Sequence, residues 1–298
     1  MYKLGIDIGG TKVNLGLLDQ NNNIVLRHTE KITGSRDYKS VIKRIKESLD
    51  ELLPQNGISY GEIVSCGMGV PGTVSDDGRV AVKIPNLGWV DACIADEFEG
   101  LTGISAKLVQ GSRAAAWGEC MAGSGQGKQI VVCVTLGTGI GTGIVINGEI
   151  FNGALGGAGE MGHTPLVPGG RECGCGKRGC LEKYAAGLGL AITTKEMFGP
   201  DAPPDTLFIK AKEGDKQSIL VLENAVMALG NAMVSIINLL SPDCLLFSGG
   251  MSKQQEFFMD PLIEYVKTHC YSVPSRTPHI GMAALGEDSP MVGAALLK

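Results

Sequence analysis

At 298 residues the chain exceeds the size at which a single hydrophobic core stops growing, so two domains flanking a cleft are expected. A net charge of -5, with no cluster of basic residues, argues against a nucleic-acid or anionic-membrane surface as the main partner and leaves small molecules. The nine cysteines are odd in number and scattered apart from Cys173, Cys175 and Cys180, which suits reduced thiols and one metal site better than a disulfide framework, and the 44 glycines, about twice the usual frequency, predict many tight turns.

Leu4 to Leu18 alternates apolar residues around a Gly-Gly pair, and Asp19 to Asn23 supplies a turn before Ile24-Val25-Leu26, the pattern of a hairpin bearing a loop. No charged leader and apolar segment opens the sequence, so a cytoplasmic chain is expected. Val41, Ile42, Ile45, Leu49 and Leu52 recur at helical spacing between Lys39 and Leu53, and Pro54 with Gly57 ends the pattern. Ile63 to Val70 reads as a buried strand, followed by Pro71-Gly72, a polar turn at Ser75 to Gly78 and a loop at Pro85-Asn86-Leu87. Arg113 to Met121 predicts a short helix, and Gly123 to Gly127 a flexible turn. The longest apolar stretch, Ile130 to Ile146, is broken by four glycines and three threonines, so it reads as strand, loop and strand instead of a bilayer span. A long helix around Ile219 to Leu240, a strand at Cys244 to Phe247 and a terminal helix near Pro290 to Leu297 complete an α/β alternation with partly parallel sheets.

Chemistry concentrates in the turns. Asp7-Ile8-Gly9-Gly10-Thr11-Lys12 ends a strand; its glycines let backbone N–H groups approach phosphate oxygens, Thr11 adds a hydroxyl, Lys12 a positive charge, and Asp7 a carboxylate able to hold Mg²⁺ waters. The same residues also make an ordinary hairpin turn. Thr135-Leu136-Gly137-Thr138-Gly139-Ile140-Gly141 repeats the logic roughly half a chain later, and two such turns fit a nucleotide held between two homologous halves. Ser248-Gly249-Gly250 is a third close-approach loop, suited to adenosine packing or equally to a plain strand-to-helix turn. The sharpest local signal is His163 followed by Cys173, Cys175 and Cys180: one imidazole and three thiols make the ligand set of a closed tetrahedral zinc site, structural because no position is left for water. A nucleic-acid zinc ribbon is disfavoured by the acidic charge and the lack of clustered Lys, Arg and aromatics.

Over essentially its whole length, the chain resembles the ROK family (repressors, open reading frames, sugar kinases), with the glycine turns and the zinc motif in the same order. The resemblance implies an actin-like ATPase (ribonuclease H-like) fold of two α/β domains, expected at 1–115 with 286–298 and at 116–285. It implies ATP and Mg²⁺ in the cleft, structural Zn²⁺, and phosphoryl transfer to the primary hydroxyl of glucose or a close relative. Asp7, Gly9, Gly10, Thr11, Lys12, Thr135, Gly137, Thr138, Gly139, Gly249 and Gly250 then face ATP. Gly72, Asn86, Gln110, Glu160, His163 and Glu182 face the sugar, offering the carboxylates and amides that a polyol needs. The expected assembly is a homodimer or homotetramer.

One position departs from the family's pattern. Leu108 to Glu119 aligns without a gap with the family's base-bearing segment, and Gly111 stands where the general-base aspartate is expected. General-base catalysis contributes about 10² to 10⁴-fold, while phosphoryl transfer depends mostly on positioning and charge neutralisation. Binding should therefore outlast catalysis. The alternative is a non-catalytic sugar or nucleotide sensor; direct DNA reading is not expected, because no helix-turn-helix segment precedes the first strand.

Overall fold

The computed structural model describes residues 1–271 and 277–297. Two compact units emerge: Met1–Gln126 together with the segment from Asp288 onward, and Gly127–Glu287. In the first unit, apolar alternation builds an antiparallel meander of β1 (Tyr2–Ile8), β2 (Lys12–Leu18) and β3 (Ile24–Lys31). α1 (Tyr38–Gln55) buries Val41, Ile42, Ile45, Leu49 and Leu53 on one stripe, and the Asp37 carboxylate caps it by accepting from the Ser40 N–H at 3.0 Å. β4 (Ile63–Val70) runs parallel to β1 and is nearly all buried. The short strands β5 (Thr73–Val74), β6 (Ala81–Ile84) and β7 (Trp89–Ala92) form a separate small sheet. α2 (Ile94–Thr102) leads to β8 (Ala106–Gln110), which completes the main sheet in the order β3-β2-β1-β4-β8, and α3 (Gly111–Ala122) starts where β8 ends.

The second unit repeats the plan. β9 (Ile130–Leu136) and β10 (Ile140–Ile146) form an antiparallel hairpin, extended by β11 (Glu149–Ile150). After a long loop come α4 (Glu182–Ala185), α5 (Gly187–Phe198), α6 (Thr206–Lys212) and α7 (Lys216–Leu240). β12 (Cys244–Ser248) lies parallel to β9; α8 (Asp260–His269) and β13 (His279–Met282) follow, giving the order β11-β10-β9-β12-β13. α7 is long and apolar enough to cross a bilayer by length and composition. Its inner face, including Leu222, Leu229, Met233 and Ile237, lies in the core of this unit.

The chain then returns to the first unit as α9 (Ser289–Ala295). This helix sits so close to β1 and β4 that a Cβ on Gly5 would strike the Met291 carbonyl and one on Gly67 the Ala294 carbonyl. Against α3 the fit is equally tight: Gly293 abuts the Ala114 carbonyl, and Trp117 donates its indole N–H to the Leu296 carbonyl at 3.0 Å. α3 runs unbroken through residues 115 and 116, where a domain division was expected; the compact units divide after it, at Gln126 and Gly127.

Candidate functional site

In the first unit the expected phosphate turn joins β1 to β2, closed by the Gly9 N–H donating to the Lys12 carbonyl at 2.8 Å. Thr11 and Lys12 are exposed, Gly9 and Gly10 half-buried. Strand register fixes the surroundings of Asp7: it stands opposite Asn14 on β2 and Gly69 on β4. Asn14 donates its amide to one Asp7 carboxylate oxygen at 3.2 Å and accepts from the Thr29 hydroxyl at 3.1 Å. The other oxygen, Oδ1, faces Gly111: a Cβ built there would lie 3.7 Å from it and 3.8 Å from the Val70 carbonyl. Burial pushes the Asp7 carboxyl up to about 6, against the opposing pull of the Asn14 hydrogen bond and the Lys12 charge.

The expected sugar-facing residues of this unit divide into two kinds. Asn86 is exposed, and its Cβ lies 3.8 Å from the Cβ position of Gly10, beside the turn. Gln110 stands immediately before α3, next to Gly111. Gly72 is packed against β6, where a Cβ would strike the Lys83 carbonyl, so its lack of a side chain has a packing cause and only its backbone is available to a ligand.

In the second unit the turn from Thr135 to Gly141 links β9 to β10. The Gly137 N–H donates to the Gly139 carbonyl at 3.1 Å, and the Thr135 hydroxyl to the Gly141 carbonyl at 3.3 Å. Two further carbonyls of the turn are held from the start of α5: the Gly187 N–H reaches Gly137 at 2.9 Å and the Leu188 N–H reaches Thr138 at 3.1 Å. Gly249, at a φ of 94°, brings the loop after β12 against the Leu136 carbonyl, and Gly250 opens the following short helical turn.

The loop between β11 and α4 folds His163, Cys173, Cys175 and Cys180 together, with ligand atoms all within 4.8 Å of one another. His163 Nδ1 lies 3.5 Å from Cys173 Sγ, and Cys175 Sγ lies 3.6 Å from Cys180 Sγ. Four donors, three of them soft thiols, at this spacing fit a tetrahedral metal with no open position. Burial, and then the neighbouring Glu182 carboxylate, push the Cys173 thiol well above its ordinary range, so loading a metal must displace its proton. Two carboxylates flank the imidazole: Glu160 lies 3.8 Å from Nε2 and Glu182 3.8 Å from Nδ1.

Sequence reasoning did not single out Asn14, Gly69, Gly187 or Leu188. A polar residue within the apolar run of β2 was the available signal for Asn14; for the other three there was none, because strand pairing and the packing of α5 bring them in.

Comparison with known proteins places this architecture. The ROK family model matches residues 3–298. A glucokinase of Halalkalibacterium halodurans is 30% identical over 313 aligned positions, covering 99% of this chain and 94% of that protein. Among solved structures, a ROK family glucokinase from Streptomyces griseus in complex with glucose and AMPPNP superposes with a TM-score of 0.84 at 28% identity, covering 99% of this chain and 98% of the other. The ROK hexokinase from Thermus thermophilus does so with a TM-score of 0.80 at 29% identity, covering 99% and 97%. Paired glycine turns on an actin-like α/β framework, a Cys₃His cluster and end-to-end similarity to sugar kinases together establish that this chain belongs to the ROK family.

Proposed function

We propose that this chain binds a hexose and MgATP, and that it transfers the γ-phosphoryl group slowly to a primary hydroxyl of glucose or a close relative. The observation that carries the reading is the Asp7 carboxylate, set among glycines at the end of β1 and facing the backbone of Gly111. In this reading the N–H groups and hydroxyls of Gly9 to Lys12 and Thr135 to Gly139 hold the phosphates, Gly249 and Gly250 lie against the nucleoside, and Asp7 holds Mg²⁺ through its waters. Asn86, Gln110, Glu160, His163 and Glu182 accept from and donate to the sugar hydroxyls. A bound zinc would supply rigidity to the loop that carries Glu160 and His163 and leads into Glu182, without entering the reaction. The chain acts in the cytoplasm, where its cysteines stay reduced. It assembles as a homodimer or homotetramer; the exposed Leu220, Met227 and Leu239 of α7 are apolar surface that such an assembly would cover.

Gly111 favours a second reading, a sensor that binds both ligands without turnover. Calorimetry of a hexose panel with a non-hydrolysable ATP analogue, alongside coupled ADP release, separates the two. Sugar-dependent ADP production supports the kinase. Tight binding of both ligands with no ADP production supports the sensor. No affinity for any hexose or nucleotide overturns both.

A further inference from the structure

The metal cluster and the glycine turn of the second unit are tied together twice. Glu182, only two residues after the ligand Cys180, has one carboxylate oxygen 3.1 Å from Cys173 Sγ. The other lies over the turn, 2.6 Å from where a Cβ on Gly139 would sit. The backbone makes the second tie. From Cys180 the chain passes through α4 and reaches Gly187 and Leu188, whose N–H groups hold the Gly137 and Thr138 carbonyls at 2.9 and 3.1 Å. The approach is close, a Cβ on Gly187 falling 2.8 Å from the Gly137 carbonyl.

We propose that the Cys₃His cluster is a brace for nucleotide binding: metal occupancy raises the nucleotide affinity of the Thr135–Gly141 turn, transmitted along the backbone from Cys180 through α4 to the Gly187 and Leu188 amides. The inference rests on the reading of that turn as a phosphate cradle. Metal ligation fixes His163, Cys173 and Cys180, and with them the segment that determines where the turn's carbonyls point. A turn whose amides are already oriented loses less conformational freedom when phosphate arrives, and the difference appears as affinity. Linkage makes the effect reciprocal, so nucleotide must tighten metal binding by the same factor.

The test is a calorimetric titration of the zinc-loaded chain with the magnesium complex of a non-hydrolysable ATP analogue, in the absence of sugar. It is repeated on chain stripped of zinc by a chelator and repurified. The loaded form is expected to bind the analogue about tenfold more tightly, and saturating analogue to lower the zinc dissociation constant about tenfold in competition with a chromophoric chelator. Because stripping could unfold the loop, Gly187→Ala, whose added Cβ would press on the Gly137 carbonyl, is measured fully loaded as well. It keeps all four metal ligands, and it is expected to retain one zinc per chain while binding the analogue at least about threefold more weakly than the parent. Equal nucleotide affinity with and without zinc, or an unchanged affinity in loaded Gly187→Ala, overturns the linkage alone. Failure of the loaded parent to bind the analogue at all overturns the functional reading and the linkage with it.

Discussion

At position 111 the backbone is ready for a side chain it lacks. Gly111 opens α3, is not among the glycines with positive φ, and offers a Cβ only ordinary contacts, the nearest 3.7 Å away. An aspartate there also suits the first turn of a helix, where negative charge meets unpaired N–H groups. Gly111→Asp is therefore expected to fold and to raise sugar-dependent ADP production by at least about 100-fold, with Gly111→Ala as a control that leaves the rate unchanged. Equal rates in parent and aspartate variant would show that residue 111 is not the base position. Its neighbour Asp7 makes a different prediction. Its carboxyl is held at about 6, above the ordinary 3.8, chiefly by burial. The folded chain thus binds this proton more tightly than the unfolded chain, so the contribution to stability is greatest below pH ~4 and is lost as pH rises through 6. Asp7→Asn should accordingly be more stable than the parent at pH 7.5, by about 1 kcal/mol once the partial exposure of the group is allowed for. It should gain nothing at pH 4, and urea titrations at the two pH values check the sign. The Asp-Gly-Gly-Thr turn itself was legible because its chemistry is contiguous in sequence. Asn14 and Gly69, which complete the surroundings of Asp7, were not, since only strand register sets them opposite it.

Among the elements, those whose burial follows a simple period were the readable ones. α1 and α7 each show an apolar stripe, and β4 is a short, mostly apolar run followed by the Pro71-Gly72 turn. The packing of α3 on α9 was hidden, because its basis is the absence of side chains. Ala114 and Gly118 on α3 meet Gly293 on α9, an arrangement that leaves no hydrophobic periodicity to detect. That closeness is testable. A single methyl at Gly293 would be driven into the Ala114 carbonyl, and neither backbone can move without disturbing its own helix. Gly293→Ala, which on propensity alone would favour a helix, is expected to destabilise the first unit by about 1 to 3 kcal/mol. The measurement is the denaturant midpoint followed by Trp117 fluorescence, and an unchanged or raised midpoint would contradict the close packing.

At the scale of the whole molecule, the first unit is discontinuous: its sheet is built from the start of the chain and its last helix from the end. α9 is no appendage. Met291, Val292 and Leu296 are 2%, 1% and 6% exposed, and at roughly 1.5 to 3 kcal/mol for each fully buried side chain they stabilise this unit by on the order of 5 to 9 kcal/mol. That is comparable with the total stability of an ordinary domain, about 5 to 15 kcal/mol. Polar ties add to it. Glu119, fully buried on α3, accepts from the Ser289 hydroxyl at 2.7 Å with one carboxylate oxygen and from the Ser124 N–H at 2.9 Å with the other, joining the start of α9 to the residues that follow α3. A chain truncated after Glu287 removes all of these contacts at once and leaves Glu119 buried with one hydrogen bond fewer. The second unit keeps its entire strand set, so the two units should respond differently. In hydrogen exchange of the truncated chain, the amides of β1, β4 and β8 are expected to exchange at rates close to those of an unfolded chain, while those of β9, β10 and β12 remain protected. Protection persisting in β1 and β4 would mean that the first unit folds without its returning helix. The glycines at 5 and 67 would then need an explanation other than the approach of α9.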